Sequence, residues 1–404
     1  MQDYRYCTIK DNHSFYDIKN NPICIKWKGK SKIKEDLFDL SEAYFECACD
    51  IFEEILEKAD DNIKLDMWFI PGVYMFRQSL ELIIKALLAK KIQKKNILQD
   101  IYLECKHDLA GLFQKYKECE DNIVIQAKER QWIENYLASI EIVDSNSALF
   151  RYPFKDEFLL QYQNRFLDIA DMGNAFLNAY TILKKCFTGK EDTSIIEIDV
   201  TMSTDFLIFA NNGFGNCYLW ESLFGDNFHK QVVGYSSTAY FLFQKYIFDK
   251  KYGRIFPIIF LLRNAIELSL KRLLDSKVEK QLPEKIIHCI KNSHVLYKEL
   301  WLNQKEMIVY YAKEHGENLE TLDILDKHIK ELDSIDRQGD RFRYPFSYSF
   351  EYRFSNIQID MENVFEWMQG IFNVLDGCDD ILDEITDFAV SYTHLRAHET
   401  LMNL

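Results

Sequence analysis

Two sets of ionisable residues in this chain combine an imidazole with a carboxylate and two cations. In each set an Arg, a Glu and a Lys follow at intervals of four residues, and a His comes later. The sets are Arg77, Glu81, Lys85 and His107, and Arg263, Glu267, Lys271 and His294. An imidazole can act as a general base and a cation can hold a phosphate, so these residue types suit metal-free cleavage of RNA through the ribose hydroxyl.

The four-residue spacing also allows a purely structural role. At about 100° of rotation per residue, Arg77 lies closest to the apolar stripe of its helix, followed by Glu81 and then Lys85. A buried guanidinium needs an acceptor, and Glu81 lies one turn away. One interpretation is an ion-pair network that orients helices. The other is that the arginines line a cleft and hold an anion such as a phosphate, and the spacing does not separate the two.

Both histidines lie at the predicted start of a helix, beside a residue that can cap it. His107 precedes Asp108, and His294 follows Ser293. Asp and Ser are preferred at helix N-termini because their side chains accept a hydrogen bond from the first turn. An imidazole there can be a general base or a phosphate donor, or it can be an N-terminal spacer whose ring bonds a neighbouring carbonyl.

The pentapeptide FRYPF occurs twice, at residues 150–154 and 342–346. Tyr152 and Tyr344 precede prolines, which disfavours helical geometry at each tyrosine. The motif is therefore predicted to be a rigid extended bend whose aromatic side chains plug the end of a helical bundle.

The arginines of the motif, Arg151 and Arg343, allow two interpretations. In a structural role the aromatic residues pack, and Arg151 caps a helix C-terminus or pairs with Asp144. In a functional role both arginines point into a pocket, since rigid bends often present polar groups.

The two sets belong to an internal duplication. Residues 69–91 align without a gap with residues 255–277, and Tyr44 aligns with Tyr240. Further equivalent pairs are Asp144 with Asp336 and Asp168 with Asp360. Two copies indicate a duplicated domain and not a solenoid, which usually needs at least three repeats.

The apolar periodicity is helical, so the sequence predicts a mainly α fold with two tandem bundles of four or five helices. Predicted helices lie near 36–58, 69–92, 108–118, 122–142, 160–185, 231–248, 257–276, 294–313, 317–334 and 356–376. Short strands are predicted within 6–10, 23–27, 194–200 and 205–210. The predicted domains are an N-terminal extension (1–38), copy 1 (39–187), a connector (188–230) and copy 2 (231–389).

Composition narrows the class of protein. The net charge of −15 disfavours non-specific binding to duplex DNA, although an acidic chain can hold a local basic pocket. The ten cysteines form no CxxC pair, which predicts buried thiols. Residues 1–10 also lack the apolar core of a signal peptide, so we expect a reduced, cytoplasmic protein, and we expect no cofactor. No carboxylate–histidine group has metal-ligand spacing, which makes a metal hydrolase the weakest alternative. The longest apolar run is interrupted by Arg263 and Glu267, so no membrane segment is expected.

Residues 390–400, VSYTHLRAHET, resemble a translated sequencing-library adapter. We therefore exclude 390–404 from the fold and expect the natural sequence to continue past Ala389.

The order RxxxELxLKxLL followed by a His at a helix start, present in both copies, resembles the HEPN domain (higher eukaryote and prokaryote nucleotide-binding). The resemblance covers about residues 39–187 and 231–378. It implies helical bundles that pair, here within one chain or in a homodimer, and that occur in toxin–antitoxin and phage-defence systems. Many members cut RNA in a cleft between two bundles.

The chain departs from the family in its catalytic signature, an Arg followed after four to six residues by a His, because no Arg–His pair here has that spacing. FRYPF occupies that part of each copy. We therefore expect either RNA cleavage or RNA or nucleotide binding, with His107, Arg77 and Arg151, or His294, Arg263 and Arg343, as the candidate sets. The alternative is a non-catalytic module that binds a partner protein and uses these charges structurally.

Overall fold

The computed structural model describes residues 3–119, 124–162, 164–189, 197–218, 228–273, 292–314, 316 and 318–380. The mainly α fold predicted from the periodicity is confirmed. Two compact units are present. Unit 1 consists of Met1–Pro22, Leu262–Gly339 and Ile359–Leu404, and unit 2 of Ile23–Leu261 and Asp340–Gln358. The second FRYPF motif therefore belongs to unit 2, together with the helices of the first copy.

Unit 2 contains most of the helices. They are α1 (Ile33–Glu57), α2 (Phe69–Lys91), α3 (Lys95–Cys105), α4 (Leu109–Glu118), α5 (Ala127–Asp144), α6 (Asp156–Tyr162), α7 (Ile169–Thr188), α8 (His229–Asp249) and the first part of α9 (Ile255–Arg272). A π-helical turn, Lys64–Trp68, leads into α2, and a 3-10 turn, Tyr252–Arg254, leads into α9.

Helix α2 forms the centre of unit 2, and every residue from Phe69 to Leu88 is buried. Its close packing against α1 depends on Gly72, because a Cβ there would lie 2.8 Å from the Phe52 ring. Phe76 stacks on Phe176 of α7 with 4.7 Å between ring centroids. A helix that is buried all round places its charged side chains inside the protein, where they must be paired.

Unit 1 contains the rest of α9, a π-helical turn (Leu296–Trp301), α10 (Leu302–Glu314), α11 (Leu319–Ile335) and α12 (residues 361–380). The N-terminal segment packs on these helices. The His13 ring lies 2.8 Å from the Asn363 amide oxygen, and Ser14 donates to Glu331 at 2.6 Å. The predicted N-terminal extension is thus partly integrated into unit 1.

The described residues contain four short strands: β1 (Pro22–Cys24), β2 (Phe166–Leu167), β3 (Phe209–Ala210) and β4 (Gln358–Asp360). In unit 2, β2 pairs antiparallel with β3, with Phe166 opposite Ala210 and Leu167 opposite Phe209. The strand predictions within 23–27 and 205–210 are confirmed only at Ile23–Cys24 and Phe209–Ala210.

Two strand predictions are wrong in their described parts. Tyr6 ends a 3-10 turn, Tyr4–Tyr6, which the Asp3 side chain caps, and residues 7–10 form no strand. Residues 197–200 form no strand, because the Asn178 side chain bonds both the N–H and the C=O of Asp199 at 3.0 Å. Residues 194–196 lie outside the described part of the chain.

The predicted helix 160–185 is divided into α6 and α7. Asn164 has φ of 61°, which interrupts helical geometry, and β2 follows. Asp168 then begins α7 by accepting a hydrogen bond from the Asp171 N–H at 2.9 Å. Its equivalent, Asp360, accepts from the Glu362 N–H at 3.2 Å at the start of α12. Within the described ranges, no helix is long and apolar enough to cross a membrane.

Candidate functional site

The Glu81 carboxylate, on α2, lies at the centre of a cluster in unit 2. The side chain is fully buried and accepts from four groups. These are Arg77 Nη1 at 3.2 Å, Lys85 Nζ at 2.6 Å, the Tyr344 hydroxyl at 2.6 Å and His107 Nδ1 at 3.1 Å. We call these five residues the Glu81 cluster. Arg77, Glu81 and Lys85 follow one another at intervals of four residues on α2, which places them on one face of the helix, as the sequence predicted.

Arg77 has a structural position within this cluster. Its guanidinium is fully buried, and its Nε lies 3.0 Å from Asp144 Oδ2. Its Nη2 donates to the main-chain carbonyls of His107 at 2.8 Å and Asp144 at 3.1 Å. Arg77 thus joins α2 to the end of α5 and to the turn before α4. The predicted pairing of Arg77 with Glu81 is confirmed.

His107 is held by its main chain and by its ring. Asp108 caps α4 by accepting from the Gly111 N–H at 2.7 Å, and Glu141 accepts from the Leu109 N–H at 2.7 Å. The ring bonds Glu81 through Nδ1, and the side chain is 26% exposed. The predicted spacer role, in which the ring bonds a neighbouring carbonyl, differs from this geometry, because the acceptor is a buried carboxylate.

The ionisation of the cluster follows from its contacts. Burial raises the pKa of Glu81, but Lys85, His107 and Arg77 together lower it more, so the pKa lies well below its ordinary value. For His107, the Glu81 carboxylate raises the pKa, but burial together with Arg343 and Lys85 brings it below its ordinary value. A neutral ring beside an ionised carboxylate carries its proton on Nδ1, which leaves the Nε2 lone pair free to accept a proton.

Lys85 is also buried, and burial lowers its pKa although Glu81 opposes this. Its ammonium lies 4.8 Å from the centre of the Tyr344 ring and 5.6 Å from that of Tyr102. Ring faces stabilise a cation electrostatically. Lys85 therefore pairs with Glu81 and lies close to two aromatic rings.

Tyr344 brings the second FRYPF motif to the Glu81 cluster. Its hydroxyl lies 3.4 Å from His107 Nδ1 and accepts from Arg343 Nη2 at 3.2 Å. The main chain of the motif is fixed by Tyr44, whose hydroxyl donates to the Phe342 carbonyl at 3.0 Å. From the sequence, this tyrosine was expected to pack at the end of a bundle, and its bond to Glu81 was not predicted.

The first FRYPF motif is fixed in the same way. The Tyr235 hydroxyl donates to the Phe150 carbonyl at 3.0 Å, and Arg151 Nε donates to the Ser147 carbonyl at 2.9 Å, just beyond the end of α5. The Ser147 carbonyl lies beyond the C-cap residue Ser145, so the predicted capping of the helix by Arg151 stays a prediction. By these contacts Tyr235 is the equivalent of Tyr44, whereas the sequence alignment paired Tyr44 with Tyr240.

Unit 1 contains a second cluster around Glu267, with the same connections among the duplicated residues. Glu267 accepts from Lys271 Nζ at 2.9 Å, from His294 Nδ1 at 2.9 Å and from Arg263. Arg263 also donates to the His294 carbonyl at 2.8 Å, and its Nε lies 3.6 Å from Asp336 Oδ2. The His294 side chain is 36% exposed. The Arg, Glu, Lys, His and Asp residues matched in the sequence therefore make matching contacts within each unit.

The structure brings some members of the candidate sets together. His107 and Arg77 are in contact, but Arg77 bonds the main-chain carbonyl of His107 and not its ring. Arg151 lies over the rings of Tyr74 and Tyr152, at 5.9 and 5.0 Å from their centres. His294 and Arg263 meet in unit 1, whereas Arg343 belongs to unit 2. The side chains beside the His107 ring are those of Glu81 and Tyr344, and whether they act chemically stays a prediction.

Among the described residues, no group of three or more His, Cys, Asp or Glu side chains could hold a metal ion. A scan against protein-family models, a search of curated proteins and a search of solved structures each found no match.

Proposed function

We propose that this protein is a tandem HEPN-like endoribonuclease in which His107 and His294 act as general bases. One observation carries the proposal: in each unit a buried carboxylate orients a partly exposed imidazole through Nδ1. A carboxylate that holds Nδ1–H fixes the tautomer whose Nε2 can take a proton. Neutral histidine in an ordered, solvent-reached position is the group that base catalysis requires.

The reaction would be transesterification within RNA. His107 Nε2 takes the proton of a ribose 2′-hydroxyl, and the 2′-oxygen attacks the adjacent phosphorus. The bond from phosphorus to the 5′-oxygen breaks, and this oxygen takes a proton from solvent. The products carry a 2′,3′-cyclic phosphate and a 5′-hydroxyl, and the reaction needs neither an oxidant nor a metal ion.

The test uses the full-length protein and a defined oligoribonucleotide in the presence of a chelator. Wild type is expected to give 2′,3′-cyclic phosphate ends, and His107→Ala and His294→Ala are each expected to lower the rate. His229→Ala is the matched control, because His229 is exposed and lies outside both clusters. Intact RNA with wild type, or equal cleavage by all four proteins, would refute the proposal.

A second candidate function is a non-catalytic module that binds a partner protein. It is favoured by the burial of Arg77, Glu81 and Lys85, whose charges are satisfied by one another and by Asp144. Such networks can specify how helices pack. Under this alternative, His107→Ala changes thermal stability but leaves total RNA as intact as wild type does.

We also propose a cytoplasmic setting, in phage defence or in a toxin–antitoxin pair, with RNA or a nucleotide as ligand. The support is the HEPN-like pattern in both copies and the absence of disulfides among the described cysteines. If this is correct, expression of wild type slows bacterial growth and expression of the His107→Ala, His294→Ala double variant does not. Equal growth of the two strains would count against a toxin role.

A further inference from the structure

The Tyr344 hydroxyl is the one member of the Glu81 cluster that comes from the second copy of the duplicated sequence. It donates to Glu81 Oε1 at 2.6 Å and accepts from Arg343 Nη2 at 3.2 Å. Burial raises the pKa of Tyr344 well above its ordinary value, so the hydroxyl keeps its proton at neutral pH and acts as a donor. The proton transfer to His107 Nε2 does not itself use this hydroxyl.

The second FRYPF motif is held against α2 by hydrogen bonds to its main chain and to its arginine. Gln78 of α2 donates to the Arg343 carbonyl at 3.3 Å and accepts from Arg343 Nη2 at 3.4 Å. Tyr44 of α1 donates to the Phe342 carbonyl at 3.0 Å. The Tyr344 hydroxyl is therefore fixed by the main chain on which it is carried and by the guanidinium beside it.

The two oxygens of the Glu81 carboxylate are shared among several donors. Oε1 accepts from Lys85 Nζ and from the Tyr344 hydroxyl, each at 2.6 Å, and Oε2 accepts from Arg77 at 3.2 Å. His107 Nδ1 lies 3.2 Å from Oε1 and 3.1 Å from Oε2. A carboxylate that accepts strong hydrogen bonds from other groups stabilises a neighbouring imidazolium less. Tyr344 therefore fixes this carboxylate and weakens its hold on a second proton of His107.

The charged and titratable groups around His107 come from α2, from the second motif and from the residues at α4 and α5. They are Glu81, Lys85 and Arg77 on α2, Arg343 and Tyr344 on the motif, Asp108 and Glu141, which accept from main-chain N–H groups, and Asp144, which pairs with Arg77. Glu81 raises the pKa of the His107 ring, whereas burial together with Arg343 and Lys85 brings it below its ordinary value. The second motif thus supplies a cation that favours the neutral ring.

We propose that Tyr344 is a positioning residue for His107, and that the second FRYPF motif thereby completes the Glu81 cluster of the first copy. With Arg343 donating to its oxygen, the Tyr344 hydroxyl holds Glu81 in the orientation that keeps one proton on His107 Nδ1 and leaves Nε2 able to accept another. The inference rests on the proposed function for the reaction that His107 performs. It also states what a motif of the second copy contributes to the first.

The first experiment follows the His107 ring and does not depend on cleavage. An NMR titration of the full-length protein, labelled in its histidines, gives the pKa of His107, whose signal is identified by its loss in His107→Asn. Tyr344→Phe removes only the hydroxyl and is expected to raise this pKa by roughly half a pH unit or more, because Glu81 then stabilises the imidazolium more strongly. Tyr352→Phe is the matched control, since its hydroxyl donates to Asp36 at 2.9 Å, and it is expected to leave the pKa of His107 unchanged.

A second variant covers the case in which Tyr344→Phe does not fold. Arg343→Gln removes the cation beside the tyrosine and is also expected to raise the pKa of His107. Circular dichroism and Tm, compared with those of Tyr352→Phe, show whether each variant is folded. The inference is overturned if folded Tyr344→Phe leaves the pKa of His107 unchanged or, where that variant does not fold, if Arg343→Gln leaves it unchanged.

Cleavage kinetics separate this inference from the proposed function. Tyr344→Phe is expected to lower kcat roughly tenfold with KM unchanged, because a less well oriented base reacts more slowly. The acidic limb of its pH–rate profile is expected to move to higher pH, in step with the raised pKa of His107. An active Tyr344→Phe variant with an unchanged kcat or an unmoved limb would overturn this inference alone. A raised pKa of His107 in Tyr344→Phe, together with a wild type that does not cut RNA, would refute the proposed function alone.

Discussion

Replacement of Glu81 by Gln tests the central position of this carboxylate. The change removes one negative charge from a fully buried site and leaves Arg77 and Lys85 without the carboxylate that they share. Gln also places N–H donors where the wild-type carboxylate only accepts, so some of the four incoming donors lose their partner. His107 loses the anchor of its Nδ1 proton.

The magnitude follows from the burial of these groups. Breaking a buried ion pair by removing one partner costs about 3–5 kcal/mol. Asp144 still pairs with Arg77 at 3.0 Å, so we expect the lower part of this range, about 3 kcal/mol. For a unit of this size, 1 kcal/mol corresponds to roughly 2–4 °C, which gives a fall in Tm of about 10 °C.

The assay is chemical denaturation of the full-length protein, followed by circular dichroism and by tryptophan fluorescence. Glu267→Gln, in the matching cluster of unit 1, is expected to lose a similar amount. Glu53→Gln on α1 is the control, since its side chain is exposed and surface changes usually stay within about 0.5 kcal/mol. A loss of less than about 1 kcal/mol for Glu81→Gln would refute the interpretation of Glu81 as a shared buried acceptor.

Three further predictions concern pH, packing and helix capping. The pKa of His107 is lower in the folded than in the unfolded protein, so the unfolded state binds more protons. The free energy of unfolding should therefore fall as the pH drops below about 6.5. In urea titrations at several pH values, His107→Asn should flatten that part of the curve. Gly72→Ala should destabilise the protein by about 1–3 kcal/mol, because its Cβ would meet the Phe52 ring. Gly377→Ala should stabilise the protein by about 0.5–1 kcal/mol, because there is open space around this position in α12. Equal calorimetric Tm values for the two variants would contradict this prediction. Asp168→Ala should lose about 1 kcal/mol in thermal denaturation by removing the N-cap of α7, and an unchanged Tm would count against that role.

Much of the fold follows from periodicity. The buried run of α2 was predicted almost to its ends, since Pro71 favours a helix start and the apolar residues after it have helical spacing. Short elements were predicted poorly. The helix α3 was missed, and so was the division between α6 and α7, because a positive φ at Asn164 and a two-residue strand leave little trace in the sequence.

The site was predicted in part. The four-residue spacing predicted that Glu81 would accept from Arg77, and it does. The bond from Tyr344 to Glu81 could not be predicted, since it joins residues 263 positions apart and depends on which unit the second FRYPF motif enters. The only available signal was the recurrence of the motif. It singles out Tyr344 but does not indicate which residue this tyrosine contacts.

The proposed catalytic role of the two histidines is tested by the metal-free cleavage rate of a defined oligoribonucleotide by the His107→Ala, His294→Ala double variant, at a temperature where it and wild type are equally folded. General-base groups of this kind contribute about 10²–10⁴-fold to a rate. We expect the double variant to lose at least about 100-fold in rate. A double variant that cuts RNA as fast as wild type, or a wild type that does not cut it, would show that His107 and His294 are not general bases in RNA cleavage.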